Sequence, residues 1–220
     1  MTANCQNFRV VKLHGKFMPA AEKKSRQLFV VLHGLGDSAD GWSWLPAALK
    51  LPALNYLFVN APDAYHGGHS WFNYPGDIAP GIHRSRKLLF DLLDDLGAKN
   101  FPADQVTLGG FSQGSLMSVE TGLRYPHRLA GIVGISGWVF EIENLIRDLS
   151  PVAKTQRLLI THGHFDPLLP FAASQQQVGR LKAAGLNVAW QEFPKAHTVH
   201  GEEEIAVVRE FVRAGYPVAK

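Results

Sequence analysis

Apolar positions along this chain switch repeatedly between two spacings. Residues 27–32 (Gln-Leu-Phe-Val-Val-Leu) are an almost unbroken apolar run, the pattern of a strand covered on both faces. Residues 54–59, 129–135, 157–161 and 187–193 also read as strands, and residues 8–13 as an edge strand. Between them the period lengthens. Residues 81–96 place apolar side chains at 82, 88, 89, 92, 93 and 96, a helical stripe with a charged opposite face. Further helices are expected over 45–51, 141–149, 171–184 and 202–214. Strands alternating with helices predict an α/β fold, a mostly parallel central sheet with helices on both faces. No repeat, low-complexity tract or linker divides the 220 residues. One domain over 1–220 is therefore expected, with its core at about 28–214. The one long irregular stretch is 61–80, where Trp71, Phe72 and Tyr74 stand among glycines and prolines. A loop of that length in a compact domain usually serves function, and its aromatics argue against disorder. Its plainer reading is a small apolar cluster beneath a surface loop.

Composition narrows the class. Hydrophobic residues make up 46% and charged residues 19%, as in soluble globular proteins. The formal net charge of +3 is spread along the chain, and no basic run interleaved with aromatics supports nucleic-acid binding. The N-terminus lacks the apolar core of a signal peptide, and no stretch approaches eighteen apolar residues, so no integral membrane association is expected and a cytoplasmic location is the default. Cys5 is the only cysteine, which excludes an intramolecular disulfide and a cysteine-based zinc site.

Chemistry enters at Gly110-Phe111-Ser112-Gln113-Gly114. This G-x-S-x-G follows a short apolar strand (105–108) and opens a helix that should stop before Pro126. That is the context of a nucleophile elbow, in which a strained serine sits at the tip of a strand-to-helix turn and glycines let the two backbones pass closely. With such an elbow the acid and base follow in the order Ser, Asp or Glu, His. After Ser112 the candidate aspartates are Asp148 and Asp166, and the candidate histidines His197 and His200. Asp148 falls in an amphipathic helix, where a solvated face accounts for it. Asp166 falls just past the strand 157–161, and active sites of open α/β sheets lie at the carboxyl ends of strands. The same rule favours His197, directly after the strand ending near Phe193, over His200. In these roles Ser112 attacks, His197 moves the proton and Asp166 orients the imidazole. The oxyanion would be met by the backbone N–H of Gln113 and by that of Leu35, in the glycine-rich loop after the strand 27–32.

Taken together these residues resemble the carboxylesterase and acyl-protein thioesterase (lysophospholipase-like) branch of the α/β-hydrolases. His33-Gly34-Leu35-Gly36-Asp37-Ser38 is similar to its oxyanion loop, and Gly109 to Ser115 to its elbow. The strand from Leu129-Ala130-Gly131 to Ser136-Gly137-Trp138, the acid loop His162-Gly163-x-x-Asp166-Pro167 and the His197 segment with Glu202-Glu203 also match, in order, over residues 28 to 214. The last of these selects His197 against His200. The resemblance implies a serine hydrolase cleaving carboxylic esters or thioesters through an acyl-enzyme, without metal or other cofactor, often as a homodimer. It further implies that Trp71 and Phe72 lie at the acyl pocket, that Leu168 lines it, and that a small acyl ester is the substrate. This chain departs from the pattern at Asn73, where an aspartate is usual, at Ala196, where glycine is usual, and in a shorter loop between Pro62 and Trp71. The short loop points to acyl chains of short to medium length. Two rival readings remain: His162-x-His164-x-Asp166 as part of a metal-dependent hydrolase site, and a non-catalytic hydrolase fold acting as a receptor.

Overall fold

The protein is described here by a computed structural model covering residues 6–10 and 12–216; Cys5 lies outside the described residues. Strands β1 (Gln6–Val10), β2 (Leu13–Met18), β3 (Leu28–Leu32), β4 (Asn55–Val59), β7 (Val106–Phe111), β8 (Gly131–Ile135), β9 (Arg157–Gly163) and β10 (Asn187–Phe193) form one sheet in the order β1-β2-β4-β3-β7-β8-β9-β10. From β4 to β10 every neighbouring pair is parallel; β2 runs antiparallel to both β4 and β1. The mostly parallel α/β architecture expected from the sequence is the one observed.

The edge differs. The single strand expected over 8–13 is instead split between two antiparallel strands, β1 ending at Val10 and β2 beginning at Leu13. Apart from Leu13, β2 is only partly covered, so it lacks the apolar run that marks the inner strands. The segment 61–80 is also more ordered than expected: β5 (Asp63–Tyr65) and β6 (Gly68–Ser70) make a small antiparallel hairpin within it.

Both faces of the sheet are covered, which explains the continuous apolar strands. In β3, Leu28, Val30 and Leu32 point to one core, shared with α2 (Ala79–Ala98) and α3 (Gln113–Arg124). Phe29 and Val31 point to the other, shared with Leu45 and Leu49 of α1 (Leu45–Leu49) and Ile205, Val208 and Val212 of α6 (Gly201–Arg213). The stripe on α2 buries Ile82, Leu89, Leu92, Leu93 and Leu96 as expected. Helices α4 (Ile142–Arg147) and α5 (Phe171–Ala183) complete the first layer. Asp148 follows α4 at the surface and pairs with Arg147 and Arg124, away from the candidate site. Among the described residues no helix is long and apolar enough to cross a membrane.

Candidate active site

The carboxyl ends of β3, β7, β9 and β10 converge, and each delivers one part of the site. β7 ends at Phe111 and α3 starts at Gln113, so Ser112 is the whole connection, with φ of 56°. A left-handed serine costs on the order of 1–3 kcal/mol and persists only where its surroundings enforce it. Here they do: a Cβ on Gly110 would collide with the Leu32 carbonyl and with Gly114, and a Cβ on Gly114 with the carbonyls of Leu32 and His33. The elbow is wedged against the end of β3.

From Ser112 a hydrogen-bonded line runs inward. His197 Nε2 lies 2.9 Å from Ser112 Oγ, and His197 Nδ1 lies 2.7 Å from Asp166 Oδ2. The carboxylate requires the proton on Nδ1, which leaves Nε2 to accept from the serine hydroxyl. The other Asp166 oxygen accepts the N–H groups of Leu168 and Leu169, both at 2.9 Å. Burial pushes the Asp166 carboxyl up, but the bond to His197 and the two amides outweigh it and hold it below the usual carboxylate range. His200 does not reach this line. Its amide donates to Glu204 Oε2 at 2.6 Å and its ring faces Glu203.

The expected oxyanion donors border the same cleft as Ser112. Gln113 is the first residue of α3, where an N–H has no carbonyl one turn back to bind. In the β3 loop, the amides of Gly36 and Asp37 are occupied, by the carbonyls of His69 and Gly34, while that of Leu35 has no partner among the described residues. The loop is braced by His33, buried and neutral: its Nδ1 meets the Gly34 carbonyl at 2.6 Å and its Nε2 accepts the Ala61 amide at 3.0 Å. Burial pushes its imidazole below the ordinary histidine range.

Trp71 and Phe72 are not where the sequence reading put them. Both are fully buried and neither lines the cleft, which is bounded instead by Tyr74, Ile78, Trp138, Leu168 and Leu169. The reason is polar. The Gln113 side chain is buried behind the elbow, and its amide takes the Trp71 N–H at 3.0 Å and gives a hydrogen bond to the Phe72 carbonyl at 3.3 Å. Trp71 Nε1 donates to the His33 carbonyl at 3.0 Å. These two aromatics therefore brace the elbow and the β3 loop from beneath. Leu168, in contrast, stands 68% exposed at the rim.

The histidines of the acid loop diverge. His162 is fully buried, donates to the Leu169 carbonyl at 2.9 Å and is held below the ordinary histidine range by burial. His164 is exposed and faces Glu192 at 3.0 Å. Among the described residues no group of three histidine, cysteine or carboxylate side chains is arranged to hold a metal.

The family described as phospholipase/carboxylesterase matches residues 14–215. The chain belongs to that family. It is similar to acyl-protein thioesterase 1 of Schizosaccharomyces pombe, 35% identical over 158 residues that cover 66% of this chain and 70% of the relative. It is 29% identical to acyl-protein thioesterase 1 of Debaryomyces hansenii over 88% of this chain and 93% of that one. Among solved structures, esterase PE8 superposes with a TM-score of 0.83 at 27% identity, covering 92% of this chain and 99% of that one. Zea mays acyl-protein thioesterase 2 superposes with a TM-score of 0.74 at 26% identity, over 97% and 99%. The resemblance read from the sequence is borne out: this is a member of a serine hydrolase family with the α/β-hydrolase fold.

One element of this phospholipase/carboxylesterase family member escaped the sequence reading. Lys195 and Glu204 form an ion pair of 2.6 Å, with side chains 1% and 0% exposed. Glu204 thus grips the His197 loop at both ends, through the Lys195 ammonium and the His200 amide. The Lys195 carbonyl accepts the Phe165 N–H at 3.1 Å, one residue before Asp166. Gly163 permits this approach, since a Cβ there would strike the Lys195 carbonyl. A charge run such as Glu202-Glu203-Glu204 reads as a solvated helix start, and no local pattern marks one of its members as buried.

Proposed function

We propose that the protein hydrolyses carboxylic esters of short to medium acyl chain through Ser112, His197 and Asp166. The observation that carries this reading is the line Ser112–His197–Asp166, at 2.9 and 2.7 Å, opening on a cleft of about 540 Å³ with apolar walls. That volume is typical of small-molecule sites. Ser112 Oγ bonds to the acyl carbon and its proton passes to His197 Nε2. The oxyanion of the tetrahedral intermediate takes the N–H groups of Leu35 and Gln113. The bond from acyl carbon to leaving oxygen then breaks, and that oxygen takes the proton from Nε2. A water molecule repeats the sequence on the acyl-enzyme and frees the acid. Asp166 keeps its charge throughout and stabilises the imidazolium. The chemistry needs no cofactor.

A second substrate class has specific support. The relatives in yeasts and maize are named acyl-protein thioesterases, and a thioester presents the same carbonyl with a better leaving group. A series of p-nitrophenyl esters of rising acyl length, run beside an acyl thioester and a lysophospholipid, separates these uses. Highest kcat/KM on a short or medium ester supports the main reading. Preference for the thioester or the lysophospholipid replaces it with that activity.

A further inference from the structure

Given the roles of Ser112 and His197 proposed above, the two halves of a substrate must diverge at His197. The acyl carbonyl has to reach Ser112 and the amides of Leu35 and Gln113. The leaving oxygen has to reach His197 Nε2, which returns its proton. Two clefts meet at this point. The one of about 540 Å³ contains Ser112, Leu35 and Gln113. The other, of about 510 Å³, contains none of the three and cannot hold the carbonyl. They share Asp37, Phe111 and His197 as a common wall. The first therefore takes the acyl chain, and the second lies where the leaving group exits.

The second cleft has its own chemistry. Trp42 and Trp44 stack with ring centroids 5.6 Å apart and 27° between planes. Trp42 is buried, while Trp44 is 41% exposed and is one of the few large apolar side chains so displayed. Two carboxylates, Asp37 and Glu202, line the cleft, and no lysine or arginine does. Glu202 is tied to Arg209 at 2.7 Å, but no lysine or arginine pairs with Asp37 among the described residues. An exposed indole in a cleft also lined by a carboxylate that no lysine or arginine neutralises attracts cations, through the ring quadrupole and by direct charge. It repels anionic groups.

We propose that this cleft is a leaving-group subsite, and that it favours alcohols and thiols bearing an ammonium group. Butanoylcholine and 3,3-dimethylbutyl butanoate test the proposal, because they share acyl chain and shape and differ in charge. Their kcat/KM values are each divided by the rate of hydroxide-catalysed hydrolysis, which removes intrinsic reactivity. The normalised preference for the cationic ester should be about 2- to 5-fold, the range of an exposed cation–π contact. It should shrink as salt is raised. Trp44→Leu should abolish most of it and Glu202→Gln should lower it, each read as the ratio of the two normalised values within one variant. Equal normalised values in the unaltered protein, or an unchanged preference in Trp44→Leu, overturn the subsite. p-Nitrophenyl butanoate is measured alongside. Turnover of all three esters without a charge preference overturns the subsite alone. No turnover of any ester overturns the hydrolase reading, and the subsite with it.

Discussion

Removing one partner of the Lys195–Glu204 pair should damage the protein in two separable ways. Lys195→Met leaves the Glu204 carboxylate, 0% exposed, without its cation. Breaking a buried pair by deleting one partner costs about 3–5 kcal/mol. Domains are stable by only about 5–15 kcal/mol in total, so the loss is large. The double variant Lys195→Met/Glu204→Leu removes both desolvation penalties and should recover most of that stability. It still leaves the His200 amide without its acceptor, which costs about 1–3 kcal/mol when buried. More importantly, it leaves the His197 loop gripped at neither end. A displacement of about 1 Å at a catalytic group can cost about 10²-fold. The double variant should therefore fold but lose about 10- to 100-fold in kcat, with KM nearly unchanged. Urea unfolding gives the stabilities, and steady-state hydrolysis of a p-nitrophenyl ester gives the split between kcat and KM. A double variant no more stable than Lys195→Met, or one with unaltered kcat, would refute the reasoning.

Three further outcomes follow from the site. Leu168→Ala and Trp138→Ala should flatten the dependence of kcat/KM on acyl length, by up to about 0.8 kcal/mol for each methylene no longer buried, whereas Trp71→Ala should lower stability by about 3–5 kcal/mol and depress all chain lengths alike; parallel profiles for Leu168→Ala would take the acyl chain out of this cleft. His197→Ala should abolish turnover while His200→Ala stays within a few-fold of the parent, and the reverse ranking in matched assays would move the general base to His200. His33 and His162 are both buried and held below the ordinary histidine range, so below pH about 6.5 the unfolded chain binds protons that the folded chain does not. Stability should then fall as pH drops from 7 to 5, by up to about 1.4 kcal/mol per pH unit for each histidine; a slope undiminished in His33→Asn would remove His33 as a cause.

The sheet and its helices were legible because each inner strand carries apolar residues on both faces and each long helix a stripe at 3.6 spacing. The edge hairpin was not, since β2 beyond Leu13 is only partly covered and its Gly15 and Lys16 break the apolar pattern. At the site, Ser112, Asp166 and His197 were readable as motifs at strand ends, and the structure brings those three side chains together. Trp71 and Phe72 were misread because an aromatic loop looks alike whether it faces a ligand or packs beneath the elbow. What decides between them is the buried amide of Gln113, more than forty residues along the chain. The Lys195–Glu204 pair was invisible for the same reason: burial of a charge is a property of the assembled fold.

Central to the account is the nucleophile, and Ser112→Ala tests it most directly. Among the described residues, Ser112 Oγ, at 2.9 Å, is the hydrogen-bond partner of His197 Nε2. Ester turnover by the purified, folded variant should fall by roughly 10⁴-fold or more, the usual cost of losing a triad member. A variant that keeps more than a few per cent of the parent kcat/KM would contradict the assignment of Ser112 and the mechanism built on it.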